Sequence, residues 1–146
     1  MADPFIQRTP PKSTGREYYS EAYILNHFPV TGTISDAQKA DLLATACEWT
    51  AASITDNIEQ FWQPIDKVDR VIVSGGGTRN TSLMERLASH MPNVDILTCE
   101  DFNIPIDAKE AVGFALFAGA FLREIPANLP RVTGAQRAVI MGRLTT

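Results

Sequence analysis

Three consecutive glycines, Gly75–Gly77, are the residues whose type and spacing point most clearly to chemistry. They follow a short β-branched run, Val71–Val73, which is typical of a buried strand, and they precede Asn80, which opens a helix-like segment. A strand that turns through glycines into a helix leaves backbone N–H groups bare, so that a flat or charged ligand can come close. The run has neither the spacing of a dinucleotide fingerprint nor the Lys-Ser/Thr of a P-loop. The glycines alone predict a ligand-binding turn and a plain strand-to-helix connection about equally.

Two polar clusters at predicted helix starts are the other candidates for chemistry. Asp107 and Glu110 have the spacing of a capping box ahead of an apolar segment. Glu110 therefore either bonds the backbone N–H of Asp107 or points into a cleft beside the glycine turn. The second cluster precedes another helix, and a solvated cap is its simplest interpretation. It contains Lys12, Ser13, Thr14, Arg16 and Glu17.

The composition argues against several classes of function. A net charge of −4 over 146 residues gives no basic surface for nucleic acid or for an anionic membrane. Cys47, Cys99, His27 and His90 stand apart from one another and from other ligand-type residues, so we expect no metal site. No apolar run approaches the ~20 residues of a membrane span, and the N-terminus is too polar for a signal peptide. We therefore expect a single domain in the cytoplasm.

Hydrophobic periodicity predicts the elements that must position the candidate residues. The two predicted strands should pair in parallel because a helix separates them. The last predicted helix is almost wholly apolar and should be buried on nearly all sides. On the longest helix the apolar stripe should be core. The expected elements are an extended leading segment (1–12), a helix capped at Thr14 and stopped at Pro29, a helix (36–62), a strand (71–73), a helix (81–90), a strand (94–98), a helix (111–123) and a short terminal strand (138–144).

Four motifs together resemble the anhydro-N-acetylmuramic acid kinase family, in order and in spacing, over nearly the whole chain. They are Pro11-Lys-Ser-Thr-Gly-Arg-Glu17, Gly75-Gly-Gly-Thr-Arg-Asn80, Asp107-Ala-Lys-Glu-Ala111 with Phe114-Ala115, and Asn128-Leu-Pro-Arg-Val-Thr-Gly-Ala135. The resemblance implies an α/β fold of the sugar kinase, actin and chaperone ATPase type. It places residues 1–146 as one domain in the C-terminal half of that fold, which is ribonuclease-H-like and lies on the nucleotide side.

The resemblance also implies a function, that of a phosphotransferase in peptidoglycan recycling. Such an enzyme uses ATP and Mg²⁺ to open the anhydro ring of 1,6-anhydro-N-acetylmuramic acid and yields N-acetylmuramic acid 6-phosphate. By the same resemblance Gly75, Gly76, Gly77 and Asn80 line the adenosine side of the cleft, and Glu110 lies near the sugar. The motif from Lys12 to Glu17 is left with two open roles, contact between domains or lining of the cleft.

Two patterns of this family do not occur in the 146 residues. One is the phosphate-binding Gly-Thr-Ser-x-Asp-Gly loop, and the other is the Asp-Thr-Gly-Pro segment with the aspartate that acts as base toward water. We therefore expect no catalytic residue in this chain, no activity of the chain alone, and a need for the N-terminal half of the kinase as partner. A homodimer is compatible with this interpretation. The alternative is a non-catalytic nucleotide- or partner-binding module that retains the fold.

Overall fold

The computed structural model describes residues 3–28 and 32–145, and it shows the predicted mixture of helices and strands. A π-helical turn, Ile58–Trp62, continues the longest helix, so its predicted extent is confirmed. Short 3-10 turns at Gly76–Arg79, Cys99–Phe102 and Ile106–Ala108 connect the later elements. The elements are α1 (Pro4–Gln7), α2 (Glu21–His27), α3 (Asp36–Asn57), β1 (Arg70–Val73), α4 (Thr81–His90), β2 (Asp95–Thr98), α5 (Lys109–Leu122) and α6 (Pro130–Thr133).

The two strands pair in parallel, as predicted, with Arg70 opposite Asp95. The N–H of Asp95 donates to the C=O of Asp69 at 3.0 Å. In this register the backbone N–H and C=O groups of Arg70 and Ile72 point away from β2, to an edge where no described strand pairs. The side chain of Ile72 is 53% exposed. The prediction of a buried strand is therefore wrong for one face, although parallel sheets are normally covered on both.

The core lies where α3 packs against α4. Ala51 and Thr55, one turn apart on α3, are buried, as are Leu87 and Met91 at the end of α4. Cys99, directly after β2, is also buried. The small side chains on α3 let the two helices approach closely. Packing of this seam therefore holds α4, and with it the turn that precedes α4.

Helix α3 begins as predicted but buries a different face. The N–H of Ser35 donates to Gln38 Oε1 at 2.9 Å and the N–H of Gln38 donates to Ser35 Oγ at 3.3 Å, which completes the predicted capping box. The predicted core stripe is wrong in part, since Leu43 is 69% exposed and Ile54 is also exposed. The seam with α4 follows the smaller residue Ala51, which periodicity of large apolar residues does not single out.

A charged cluster reinforces the contact between α3 and α4. Arg86 donates to one oxygen of Glu48, and His90 Nε2 lies 2.8 Å from the other. These hydrogen bonds, from Arg86 first and then from His90, lower the pKa of Glu48. His90, isolated in the sequence, thus has a structural partner.

The N-terminal third departs most from the predicted elements. The extended leading segment is wrong at Pro4–Gln7, where Asp3 caps a short helix by accepting from the N–H groups of Phe5 and Ile6. Helix α2 begins after the cap Ser20 and not at Thr14. Residue 15 is a glycine, which disfavours a helix interior, and the chain makes a turn there. The predicted stop at Pro29 lies outside the described residues.

The C-terminal third is more exposed than predicted. Phe114, Leu116 and Leu122 of α5 are 73%, 68% and 77% exposed, so the prediction of a helix buried on nearly all sides is wrong. The predicted terminal strand is wrong too, because 138–144 has no strand partner among the described residues. In total the chain exposes 11096 Å², against about 7,400 Å² for a folded monomer of its 16.0 kDa mass.

Truncation of Leu87 should measure the core directly. We expect Leu87→Ala to lower the free energy of unfolding by about 2–5 kcal/mol, because the side chain is 1% exposed between α3 and α4. Leu116→Ala is the matched control on α5 and should cost less than about 0.5 kcal/mol. Urea unfolding followed by circular dichroism compares the two. Equal losses would contradict the difference in burial.

Within residues 3–28 and 32–145, no helix combines the length and the apolar character needed to cross a bilayer.

Candidate functional site

The candidate site lies where the two parallel strands end. β1 runs into the glycine turn, and β2 leads through residues 99–108 to the start of α5. Because parallel strands end at one edge of the sheet, the turn at Gly76–Arg79 comes to lie beside the turn at Ile106–Ala108. Arg79 Nη2 donates to Asp107 Oδ2 at 2.5 Å across this junction. Ligands of open α/β sheets bind at such carboxyl edges.

The three glycines of the turn have three different structural roles. Gly75 has φ +84°, a left-handed conformation that L side chains rarely adopt. At Gly76 an added Cβ would meet nothing within 4 Å, so its backbone faces open space. At Gly77 an added Cβ would lie 3.6 Å from Leu83 Cδ2, so this residue faces α4. An added Cβ at Gly75 also meets nothing within 4 Å, so a ligand can approach the backbone at both Gly75 and Gly76.

Asn80 is a capping residue in the structure. Its Oδ1 accepts from the N–H of Leu83 at 3.1 Å, which caps α4, and its Nδ2 donates to Cys47 Sγ on α3 at 3.3 Å. Both polar groups of the side chain are therefore engaged within the protein. Contact between Asn80 and a nucleotide stays a prediction, and by this geometry Asn80 holds the glycine turn against α3 and α4.

Glu110 does not take the capping role that its spacing with Asp107 predicts. The 3-10 turn moves the start of α5 to Lys109, the N-cap is Ala108, and no side chain bonds at that cap. Asp107 binds Arg79 instead. Glu110 is exposed, and among the described residues no hydrogen bond or ion pair engages its carboxylate. The preceding turn, Ile106–Ala108, contacts the turn at Gly76–Arg79, and the role of Glu110 stays a prediction.

Lys12 of the N-terminal motif is committed to the fold. Its Nζ donates to the carbonyl oxygens of Ile6 at 2.6 Å and Phe5 at 3.4 Å, at the end of α1. It also lies 4.5 Å from the ring centroid of Phe61, a cation–π contact with the end of the long helix. Desolvation by burial lowers the pKa of Lys12. The ammonium therefore joins α1 to the long helix.

An aromatic cluster that the sequence analysis did not predict surrounds the same motif. The rings of Tyr19 and Tyr23 pack against Trp49 of α3, and Tyr23 Oη donates to the buried carboxylate of Asp3 at 2.5 Å. Burial and the neighbouring Asp3 raise the pKa of Tyr19 to about 12. The tyrosines at 18, 19 and 23 were a signal of this cluster in the sequence. It anchors the N-terminal segment and adds nothing to the carboxyl edge.

The carboxyl edge is open. The described surface has a groove elsewhere, lined by Ile6, Gln7, Asp56, Glu59 and Gln60, and it shares no residue with the glycine turn or with α5. Among the described residues, no group of three or more His, Cys, Asp or Glu side chains is placed to hold a metal ion. The candidate site is therefore an open surface where the turn at Gly76–Arg79 meets the turn at Ile106–Ala108.

The chain as a whole is similar to proteins of one known family. A family model described as Anhydro-N-acetylmuramic acid kinase matches residues 1–146. The anhydro-N-acetylmuramic acid kinase of Rippkaea orientalis is 44% identical over 144 residues, covering 94% of this chain and 35% of that protein. The corresponding kinase of Caldanaerobacter subterraneus is 37% identical over 145 residues, covering 99% of this chain and 36% of that protein. The kinase of Crocosphaera subtropica is 41% identical over 140 residues, covering 94% of this chain and 36% of that protein. The chain spans about a third of the length of these curated relatives.

Proposed function

The chain belongs to the anhydro-N-acetylmuramic acid kinase family, and on that premise we propose that it is the C-terminal, nucleotide-side part of an ATP-dependent kinase. The kinase opens the anhydro ring of 1,6-anhydro-N-acetylmuramic acid and forms N-acetylmuramic acid 6-phosphate, in the cytoplasm, during peptidoglycan recycling. The fold in which it works is ribonuclease-H-like. The observation that carries the proposal is the meeting of the glycine turn with the Asp107 segment at the carboxyl edge. The relatives named above are all kinases, so the alternative of a non-catalytic module is not favoured.

The glycine turn is the proposed contact for the adenosine part of ATP. A purine and its ribose need a flat, close approach to backbone, and Gly76 leaves that space open. Gly75 supplies the left-handed bend, and Asn80 fixes the turn on α4. ATP would bring Mg²⁺ on its phosphates, where the ion neutralises the charge that develops during phosphoryl transfer.

Glu110 is the proposed contact for the sugar. A carboxylate that is not engaged elsewhere can accept hydrogen bonds from sugar hydroxyls or orient the attacking water. The proposal is supported by its position near the start of α5, three residues after Asp107, which bonds Arg79 of the turn Gly76–Arg79. Nucleotide and sugar would therefore lie side by side along this surface.

The N-terminal part of the kinase is the proposed partner and supplies the second surface of the site. The excess exposed surface of this one chain, about 3,700 Å², is larger than the ~800 Å² that each partner buries in a standard protein–protein interface. It includes the apolar side chains of α5 and the open face at Ile72. Association of two copies of this chain would cover part of the same surface, and it is the competing outcome when the chain is alone.

Replacement of Gly76 by valine tests the nucleotide contact. We expect Gly76→Val to abolish ATP binding, because the branched side chain fills the space from which the ligand approaches while meeting no protein atom within 4 Å of its Cβ. The control is Gly119→Val on α5, where an added Cβ likewise meets no atom within 4 Å, and it should leave ATP affinity unchanged. Isothermal titration calorimetry with ATP and Mg²⁺ measures both, and circular dichroism checks the helix content. Equal ATP affinity in wild type and Gly76→Val would show that the site is placed wrongly.

A further inference from the structure

We propose that Arg79 and Asp107 form a positioning pair that holds the first turn of α5, and with it Glu110, beside the glycine turn. Only its consequence for ATP rests on the proposed function. Arg79 is the last residue of the turn Gly76–Arg79, and its Nη2 donates to Asp107 Oδ2 at 2.5 Å, across 28 residues of sequence. Asp107 lies in the 3-10 turn from which α5 starts.

The weak packing of α5 gives this pair its importance. Exposed ion pairs usually add little to stability, because water screens them, and the side chains of Arg79 and Asp107 are 64% and 76% exposed. Most helices are nevertheless held by an apolar face. Here Phe114 and Leu116 are exposed. Among the described helices, strands and turns, α5 contacts chiefly its own preceding 3-10 turn, and that turn contacts the turn at Gly76–Arg79. The ion pair is therefore a side-chain connection between the turn at Gly76–Arg79 and the segment from which α5 starts.

The position of Glu110 follows from the position of Asp107. Three residues of helix advance about 5 Å, so a shift at Asp107 passes directly to Glu110. Catalysis between two bound substrates depends on their relative placement, and a displacement of about 1 Å can cost roughly 100-fold in rate. A tie between the nucleotide turn and the carboxylate segment sets that placement on this surface of the site. The pair acts through Glu110 and Gly76 and needs no contact with either substrate.

Charge reversal tests the pair. Arg79→Asp and Asp107→Arg should each shift the amide resonances of Gly76 and Ala111 in two-dimensional NMR spectra of the 146-residue chain, and each should raise the Kd for ATP with Mg²⁺ about two- to fivefold. The double variant restores the pair with its charges exchanged and should return both measurements toward wild type. The urea unfolding midpoint should be unchanged in all three, which separates positioning from general loss of structure.

Lys67 and Asp69 provide the matched control, an ion pair of the same 2.5 Å length that is similarly exposed and lies before β1. Lys67→Asp should leave the Gly76 and Ala111 resonances and the ATP affinity unchanged. The positioning role is overturned if the Asp107 and Arg79 variants behave like Lys67→Asp, or if the double variant is no better than the single ones. If the wild-type chain binds no ATP, the proposed function fails. The positioning role is then decided by the NMR spectra alone: the Gly76 and Ala111 resonances should shift in the single variants and return toward wild type in the double variant.

Discussion

The 146-residue chain alone should form no detectable N-acetylmuramic acid 6-phosphate, and addition of the N-terminal part of a related kinase should restore the product. The expectation rests on groups that this sequence does not contain. General-base assistance is typically worth 10²–10⁴ in rate, and removing one group that stabilises developing charge typically costs about 10²–10³. Without both, turnover by the isolated chain should be about four orders of magnitude or more below that of a complete kinase, even if ATP still binds at the glycine turn.

The experiment adds the proposed N-terminal partner as a separate polypeptide. The portion of the Rippkaea orientalis kinase outside the matched third is expressed separately and mixed with this chain, ATP, Mg²⁺ and 1,6-anhydro-N-acetylmuramic acid. Mass spectrometry then measures phosphorylated product for the chain alone, for the added portion alone and for the mixture. A mixture containing the Gly76→Val chain is the internal control and should stay inactive. Robust product from the wild-type chain alone would contradict the expectation and would mean that it contains a catalytic group not identified above.

A physical association should accompany the restored activity. The chain exposes 11096 Å², with large apolar side chains on α5 and an open strand edge at β1, and such surfaces favour association. Sedimentation velocity should therefore show self-association of the chain alone and a one-to-one complex in the mixture. If the chain is a monodisperse monomer and does not bind the added portion, the proposed partnership is contradicted.

The sequence predicts the elements around the site well. β-branched residues before glycines identify β1, the intervening helix predicts the parallel partner β2, and Ser35 with Gln38 predicts the start of α3, because each of these signals is local. The glycine turn follows from its composition. The reason for each glycine does not, since the left-handed φ at Gly75 and the open space at Gly76 depend on the folded backbone.

What the sequence could not predict depends on contacts between distant segments. An almost wholly apolar helix indicates that something covers it, and periodicity cannot say whether the cover lies within the same 146 residues. Asp107 has the spacing of a cap, but the partner that it takes is Arg79, which is 28 residues away. The local prediction failed there because a tertiary ion pair and a 3-10 turn replaced a capping bond. Because no capping bond forms at the start of α5, the capping role that the spacing allowed for Glu110 is not present in the structure.

Glu110→Gln should therefore separate chemistry from structure. Capping and catalysis were both open for Glu110 from spacing alone, and the structure gives its side chain no bond at the cap. The change to glutamine keeps size and removes charge, so the free energy of unfolding should fall by less than about 1 kcal/mol, the usual worth of a carboxylate near a helix N-terminus. If the carboxylate orients the sugar or the attacking water, kcat of the reconstituted enzyme should fall about 10²–10⁴-fold.

Glu100 is the matched control for this measurement. It is an exposed glutamate in the 3-10 turn that follows β2, so Glu100→Gln makes the same change of charge at the same edge of the sheet. Its kcat should stay within about twofold of wild type. Stability is compared in urea for the chain alone, and kcat and KM are compared in the mixture with the added N-terminal portion. A fall in kcat with Glu110→Gln at unchanged KM for ATP assigns the residue to the sugar side. Full activity of Glu110→Gln would remove Glu110 from the site and leave the glycine turn as the only part of this surface with a proposed ligand.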